Sequence, residues 1–86
     1  MICELCERYI ASSFHHFIPK TVHSNKWFKK RFSRADMSEG IDVCRDCHHA
    51  IHDTIPKEKD LARDFNTIGK LKNHPQLRKY LKWRKR

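Results

Sequence analysis

No stretch of this chain approaches the roughly 20 consecutive apolar residues that a membrane span requires. Its start, Met1-Ile2-Cys3, carries none of the charged, apolar and small-residue blocks of a secretory leader. The first absence excludes a membrane helix. The second counts against secretion, so the expected setting is the reducing cytoplasm. Apolar residues are also scarce, at 38% of 86. A chain this short buries a modest core, and domains of its size commonly lean on a metal, a disulfide or a partner. Neither a low-complexity linker nor an internal repeat, beyond two cysteine pairs, divides it. One domain over 1–86 is therefore expected.

Acidic residues are missing from two long stretches. Lys20 to Arg34 holds six Lys/Arg and no acid, and Lys70 to Arg86 holds eight and no acid. The formal net charge is +9 and the isoelectric point about 9.7. Such a balance points to a polyanionic partner. A charge run can also be a solvated face or a fraying tail, and Arg84-Lys85-Arg86 reads that way. Elsewhere aromatics interleave with the charge: Trp27, Phe28 and Phe32 in the first run, Tyr80 and Trp83 in the second. They read as inner faces of helices whose outer faces are cationic. Membrane-surface binding is the other use of a basic amphipathic helix. It gives the metal-ligand types below no task, so nucleic acid is preferred, with Lys20, His23, Lys26, Lys29, Lys30, Arg31, Arg34, Lys79 and Lys82 as candidate contacts.

All four cysteines fall into two CxxC pairs, Cys3/Cys6 and Cys44/Cys47. In a secreted protein they could form two disulfides. In a reducing compartment paired CxxC reads as structural zinc, because two knuckles supply the four thiolates of a tetrahedral shell. The 37 residues between Cys6 and Cys44 exceed what a zinc ribbon needs. The knuckles should therefore clamp an inserted module at its base.

The second pair leads directly into Cys44-Arg45-Asp46-Cys47-His48-His49-Ala50-Ile51-His52. On a helix His48 and His52 share one face. They are either two solvent-facing histidines or two ligands of one ion, and the adjoining knuckle favours ligands. His49 points off that face. Upstream, His15 and His16 are neighbours. On a strand they face opposite sides, so one can meet an ion while the other addresses what the ion holds.

The remaining elements follow from periodicity and punctuation. Strands are expected from Tyr9 to Ile18, ending before Pro19, and at Ile41–Val43. Asn25–Phe32 reads as a helix, Ser33 with Asp36 as the cap of a short second one that Gly40 ends, and 47–54 as a third. Pro56 opens a helix running to about Phe65, Ile68–Lys72 forms a short one, and Pro75 opens the last, striped by Leu77, Tyr80, Leu81 and Trp83. The class is α+β, mostly helical, with a zinc-clamped core over 1–54 and a basic helical extension over 55–86.

Three segments together, Cys3-Glu4-Leu5-Cys6, His15-His16-Phe17-Ile18-Pro19 and Cys44 to His52, match in order and type the pattern CxxC, (D/H)H-x-x-P, CxxCHxxxH. Over residues 3–53 the chain resembles the HNH endonuclease family, whose fold is the ββα-metal finger, a treble-clef-like core. The resemblance implies that His15, His48 and His52 hold a catalytic divalent ion (Mg²⁺, Mn²⁺, Ni²⁺ or Zn²⁺). It also implies that His16 is the base activating water, and that double-stranded DNA is cut to 5′-phosphate and 3′-hydroxyl ends. The chain departs from the family pattern in one respect: no asparagine lies between Asn25 and Cys44. Glu39 is expected in its place, or Asp42 if the strand register shifts. A monomer would nick, since a concerted double-strand cut needs two sites, and a monomer or weak homodimer is expected. The rivals are a non-catalytic zinc-finger nucleic-acid-binding module and a nuclease toxin with an immunity partner.

Overall fold

The computed structural model of the protein describes residues 1–85. Its frame is an antiparallel pair of strands, β1 (Ser13–His16) and β2 (Gly40–Val43). They pair Ser13 with Val43, Phe14 with Asp42, His15 with Ile41 and His16 with Gly40. Cross-strand partners share a face, which puts His15 in the inward row with Ile41 and Val43. All three are buried, and His15 is 1% exposed. The first knuckle is stitched to this sheet: Glu4 N–H donates to the Asp42 carbonyl at 2.9 Å, and Asp42 N–H donates to the Glu4 carboxylate at 2.6 Å.

β1 is shorter than the 9–18 span expected of it. An isolated Ile2–Ile10 bridge and a Cys3 N–H bond to the Tyr9 carbonyl, at 2.8 Å, turn residues 2–10 into a closed knuckle loop instead of a strand. Glu7 inside this loop has φ 58°, a left-handed conformation that disfavours a side chain by about 1 kcal/mol.

Between the strands, a 3₁₀ turn at Lys20–Val22 precedes α1 (Lys26–Arg31) and α2 (Arg34–Ser38). Asn25 caps α1 by accepting from Trp27 N–H at 2.9 Å. Ser33 and Asp36 form the reciprocal capping box that the sequence suggested. Gly40 does not end α2, however. Glu39 is its C-cap and Gly40 begins β2. The third helix, α3 (Arg45–Thr54), starts two residues before the expected 47 because Cys44 is its N-cap.

The C-terminal third forms α4 (Glu58–Asp64), α5 (Ile68–Asn73) and α6 (Pro75–Arg84). α4 begins after Pro56 rather than at it, with Lys57 as N-cap. These helices are no appendage. Leu61, Leu71, Leu77 and Leu81 belong to the same buried cluster as the four cysteines, Leu5, Val43 and Ile51. A second cluster of Ile18, Val22, Phe28, Met37 and Ala62 fastens the 3₁₀ turn, α1, α2 and α4 together. Two expected inner-face aromatics lie outside both clusters. Trp27 is 39% and Trp83 63% exposed, and Trp27 carries the Arg31 guanidinium 3.9 Å above its ring. Among the described residues no helix is long and apolar enough to cross a membrane.

Gly40 is required where the strands approach most closely. A Cβ there would lie 2.2 Å from the His15 carbonyl oxygen and 2.7 Å from the Phe14 ring. Gly40→Ala should therefore destabilise the fold by about 1–3 kcal/mol, the cost of overpacking, read as a lower urea midpoint at constant slope. An unchanged midpoint would refute this strand register.

Candidate metal centres

Two groups of side chains converge in metal-ligand geometry. In the first, the sulfurs of Cys3, Cys6, Cys44 and Cys47 all lie within 4.8 Å of one another. All four residues are buried free thiols. The knuckle is held locally by Cys6 N–H donating to Cys3 Sγ at 3.5 Å, and Cys6 Sγ approaches Cys44 Sγ at 4.0 Å. Burial opposes ionisation of Cys6, but hydrogen bonds from the backbone of Tyr9 and Arg8 outweigh it and bring the thiol down to about 7. Burial and the surrounding sulfurs push Cys47 strongly up. Several adjacent thiolates repel one another unless a cation lies between them, so this buried four-sulfur donor set fits a tetrahedral metal ion.

Arg84 closes the cluster from α6. Its guanidinium donates to Cys44 Sγ at 3.6 Å, pairs with Asp46 at 2.9 Å and stacks 3.9 Å over the Tyr9 ring. The sequence placed Arg84 in a fraying basic tail. Instead its side chain is 14% exposed and ties the last helix to a ligand, an outer-shell role common around metal-bound sulfur.

The second group is His15, His48 and His52, whose ring nitrogens also lie within 4.8 Å of one another. β1 supplies the first, and one face of α3 supplies the other two. His15 lies 5.4 Å from the ring of His48 and 5.5 Å from that of His52. Among the described residues, His15 Nε2 is buried without any hydrogen-bond partner. An orphaned nitrogen in a core position costs stability, and an ion at this point would satisfy it. Burial first, then the neighbouring His52, His48 and His16, depress His15 to about 3. Burial likewise lowers His48, aided by His52, His49 and His16. Both imidazoles are thus held neutral, as metal ligation requires. The three nitrogens fit a divalent ion with positions left open.

Ser13 orients the group. Its hydroxyl lies 2.5 Å from His48 Nδ1, which leaves Nε2 of that ring for the ion. Nothing in its residue type marked Ser13 as part of the site, although period two on β1 already places it on the face of His15. Glu58 was also missed. It lines the histidine cavity, of about 250 Å³, together with His15, His16, His48 and His52, and it accepts a hydrogen bond from the Thr21 hydroxyl. Sequence distance gave no signal for it, because α4 arrives there only through tertiary packing.

Glu39 is not brought to this site. Its position just before β2 turns it toward a different hollow, lined by Phe17, Arg31, Asp36 and Asn66 among others. Asp42 is opposite Phe14 in the ladder and does not line the histidine cavity. His16 does line it, half-buried at the strand end. Its pKa is lowered by burial and by the neighbouring Lys20 and His23, which favours the proton-accepting form of the ring. Of the candidate nucleic-acid contacts, Lys20, His23, Lys29 and Arg34 ring a hollow that adjoins His16. Lys26, Lys30 and Arg31 are exposed on α1, whereas Lys79 and Lys82 are exposed on α6 and line neither cavity. His49 is exposed, as its helix position required. No family model, curated protein or solved structure matches the chain.

Two outcomes test the centres separately. Cys3→Ser or Cys47→Ser should lose the thiolate-held metal and unfold the chain, because binding and folding are one event in such sites; a stably folded, metal-free variant by circular dichroism and elemental analysis would refute it. His15→Ala should lose only the second ion, dropping the metal content of cobalt- or manganese-loaded protein from two ions per chain to one.

Proposed function

We propose that the protein is a metal-dependent endonuclease that hydrolyses DNA phosphodiester bonds, with zinc in the four-cysteine site. The observation that carries this reading is the orphaned Nε2 of His15 facing His48 and His52, with the neighbouring side chain, His16, opening onto the same cavity. A structural module has no use for three convergent imidazoles beside a fourth on the same cavity. The sequence resemblance to HNH endonucleases supports the same assignment.

In this reading His15, His48 and His52 hold one divalent ion. Bound there, such an ion would supply positive charge to the phosphate and to the leaving 3′ oxygen. His16 accepts the proton of the attacking water, a task suited to an imidazole kept neutral near physiological pH. Ser13 holds the His48 ring in its ligating orientation. Lys20 stands beside His16 and holds a phosphate oxygen, while Lys29 and Arg34 hold neighbouring phosphates and set the register of the strand. Glu58, rather than Glu39, is the carboxylate that lines the histidine cavity. The protein works as a cytoplasmic monomer or weak homodimer, and a single site of this kind nicks.

Purified protein should nick supercoiled plasmid with added Mg²⁺, Mn²⁺ or Ni²⁺. His16→Ala should reduce the rate about 10²–10⁴-fold, the usual worth of a positioned base, with DNA affinity retained in a gel-shift titration. Equal nicking by wild type and variant under every metal would remove the catalytic assignment and leave a zinc-held binding module. Affinity should also fall with salt at a log–log slope of about −0.9 per phosphate neutralised; a flat response would remove the nucleic-acid partner.

A further inference from the structure

Two cavities meet at His16 and Lys20, which line both. One holds the histidine cluster. The other, of about 600 Å³, opens between the 3₁₀ turn, α1 and α2, and phosphate contacts at its rim leave its apolar wall without a task. Its rim carries Lys20, Lys29 and Arg34, and its wall carries Phe32 and Met37. No carboxylate lines it among the described residues. The hollow is built into the fold. Met37 is a member of the second buried cluster, and Phe32 packs against that cluster. His23 in its wall is tied to the Ile18 carbonyl at 2.6 Å.

Cations alone would serve a phosphate backbone passing over the surface. An aromatic ring and a thioether recessed between those cations serve something with an apolar face as well as a phosphate. A nucleotide has both. A base inside an intact duplex is stacked and paired and cannot enter such a recess without being extruded. A strand that lays one phosphate over the histidine cavity would pass Lys20 and present its next nucleoside to the second cavity.

We propose that the cavity between the 3₁₀ turn, α1 and α2 binds one unpaired nucleotide adjoining the scissile phosphate, with Phe32 as the stacking surface. The preferred DNA substrate is then one carrying an unpaired base at the cut site, such as a bulge. This inference rests on the nuclease reading for its biological use, but binding and cutting are separately measurable.

The test uses the full chain with its thiolate-held metal and no other divalent ion added. Two DNA duplexes are compared, identical except that one contains a single bulged 2-aminopurine. The bulged duplex should bind about tenfold more tightly, the order of one base–aromatic stack, with its fluorescence quenched on binding. Phe32→Leu, which keeps the apolar volume, should abolish the preference and the quenching while circular dichroism and metal content stay unchanged. The double variant Lys29→Gln/Arg34→Gln, with both side chains exposed, should weaken both duplexes and keep quenching of the bulged base. Equal affinity for the two duplexes, binding to neither, or a preference that persists in Phe32→Leu would overturn the proposal. Cleavage is then scored with Mn²⁺ added. A protein that keeps the preference but cuts nothing loses the nuclease reading alone. One that binds and cuts both duplexes equally keeps that reading and loses this one.

Discussion

Four sulfurs gathered in one buried place are the constraint on which the rest of the structure depends. They join residues 3–6 to residues 44–47 and so close the chain segment that carries β1, α1, α2 and β2. Without a cation their thiolates repel. With one, the cluster becomes a fixed point in a chain that has little apolar surface to bury. The surrounding packing is organised around it: Leu5, Val43, Ile51 and the leucines of α4–α6 form a single cluster with the cysteines. Arg84 adds its charge to the sulfur side from the far end of the chain.

This fixed point determines where the histidines meet. Cys44 is the N-cap of α3 and Cys47 lies in its first turn, so the cysteine cluster sets the phase of the helix at its start. His48 and His52 follow on a face that the knuckle has already oriented toward β1. The strand pair then delivers His15 into the inward row and leaves His16 at the strand end. A histidine in a core row is costly unless its nitrogens find partners. Here Nε2 of His15 has no partner among the described residues, and His15 lies in a cluster with His48 and His52 that could hold an ion.

Electrostatics divide the molecule in two. Lys20, His23, Lys29 and Arg34 gather around His16, whose pKa is lowered by burial and by the neighbouring Lys20 and His23. The second basic run has a different arrangement. Lys72 and Lys85 pair with Glu7 at 3.7 and 3.3 Å, and Arg84 pairs with Asp46. Part of the charge that looked available for an anionic partner therefore fastens α5 and the end of α6 to the two knuckles, and the more exposed pairs with Glu7 contribute little stability each.

The cysteine and histidine groupings were legible in the residue order, because CxxC and i, i+4 spacings are local geometric statements. The α+β class, the capping box of α2 and the helix opened by Pro75 were legible for the same reason. What lay beyond reach depends on contacts between distant segments. Glu58 enters the histidine cavity because α4 packs on the 3₁₀ turn, and Glu39 misses it because the register seats Gly40 opposite His16. Trp27 and Trp83 obeyed helical spacing yet stayed outside, since periodicity names a face without saying whether anything covers it. The sequence by itself determined which residues can ligate and how they are spaced along each element. Only the tertiary structure decided which of them share a cavity, because that depends on how helices and strands pack across tens of residues, and no local propensity encodes it.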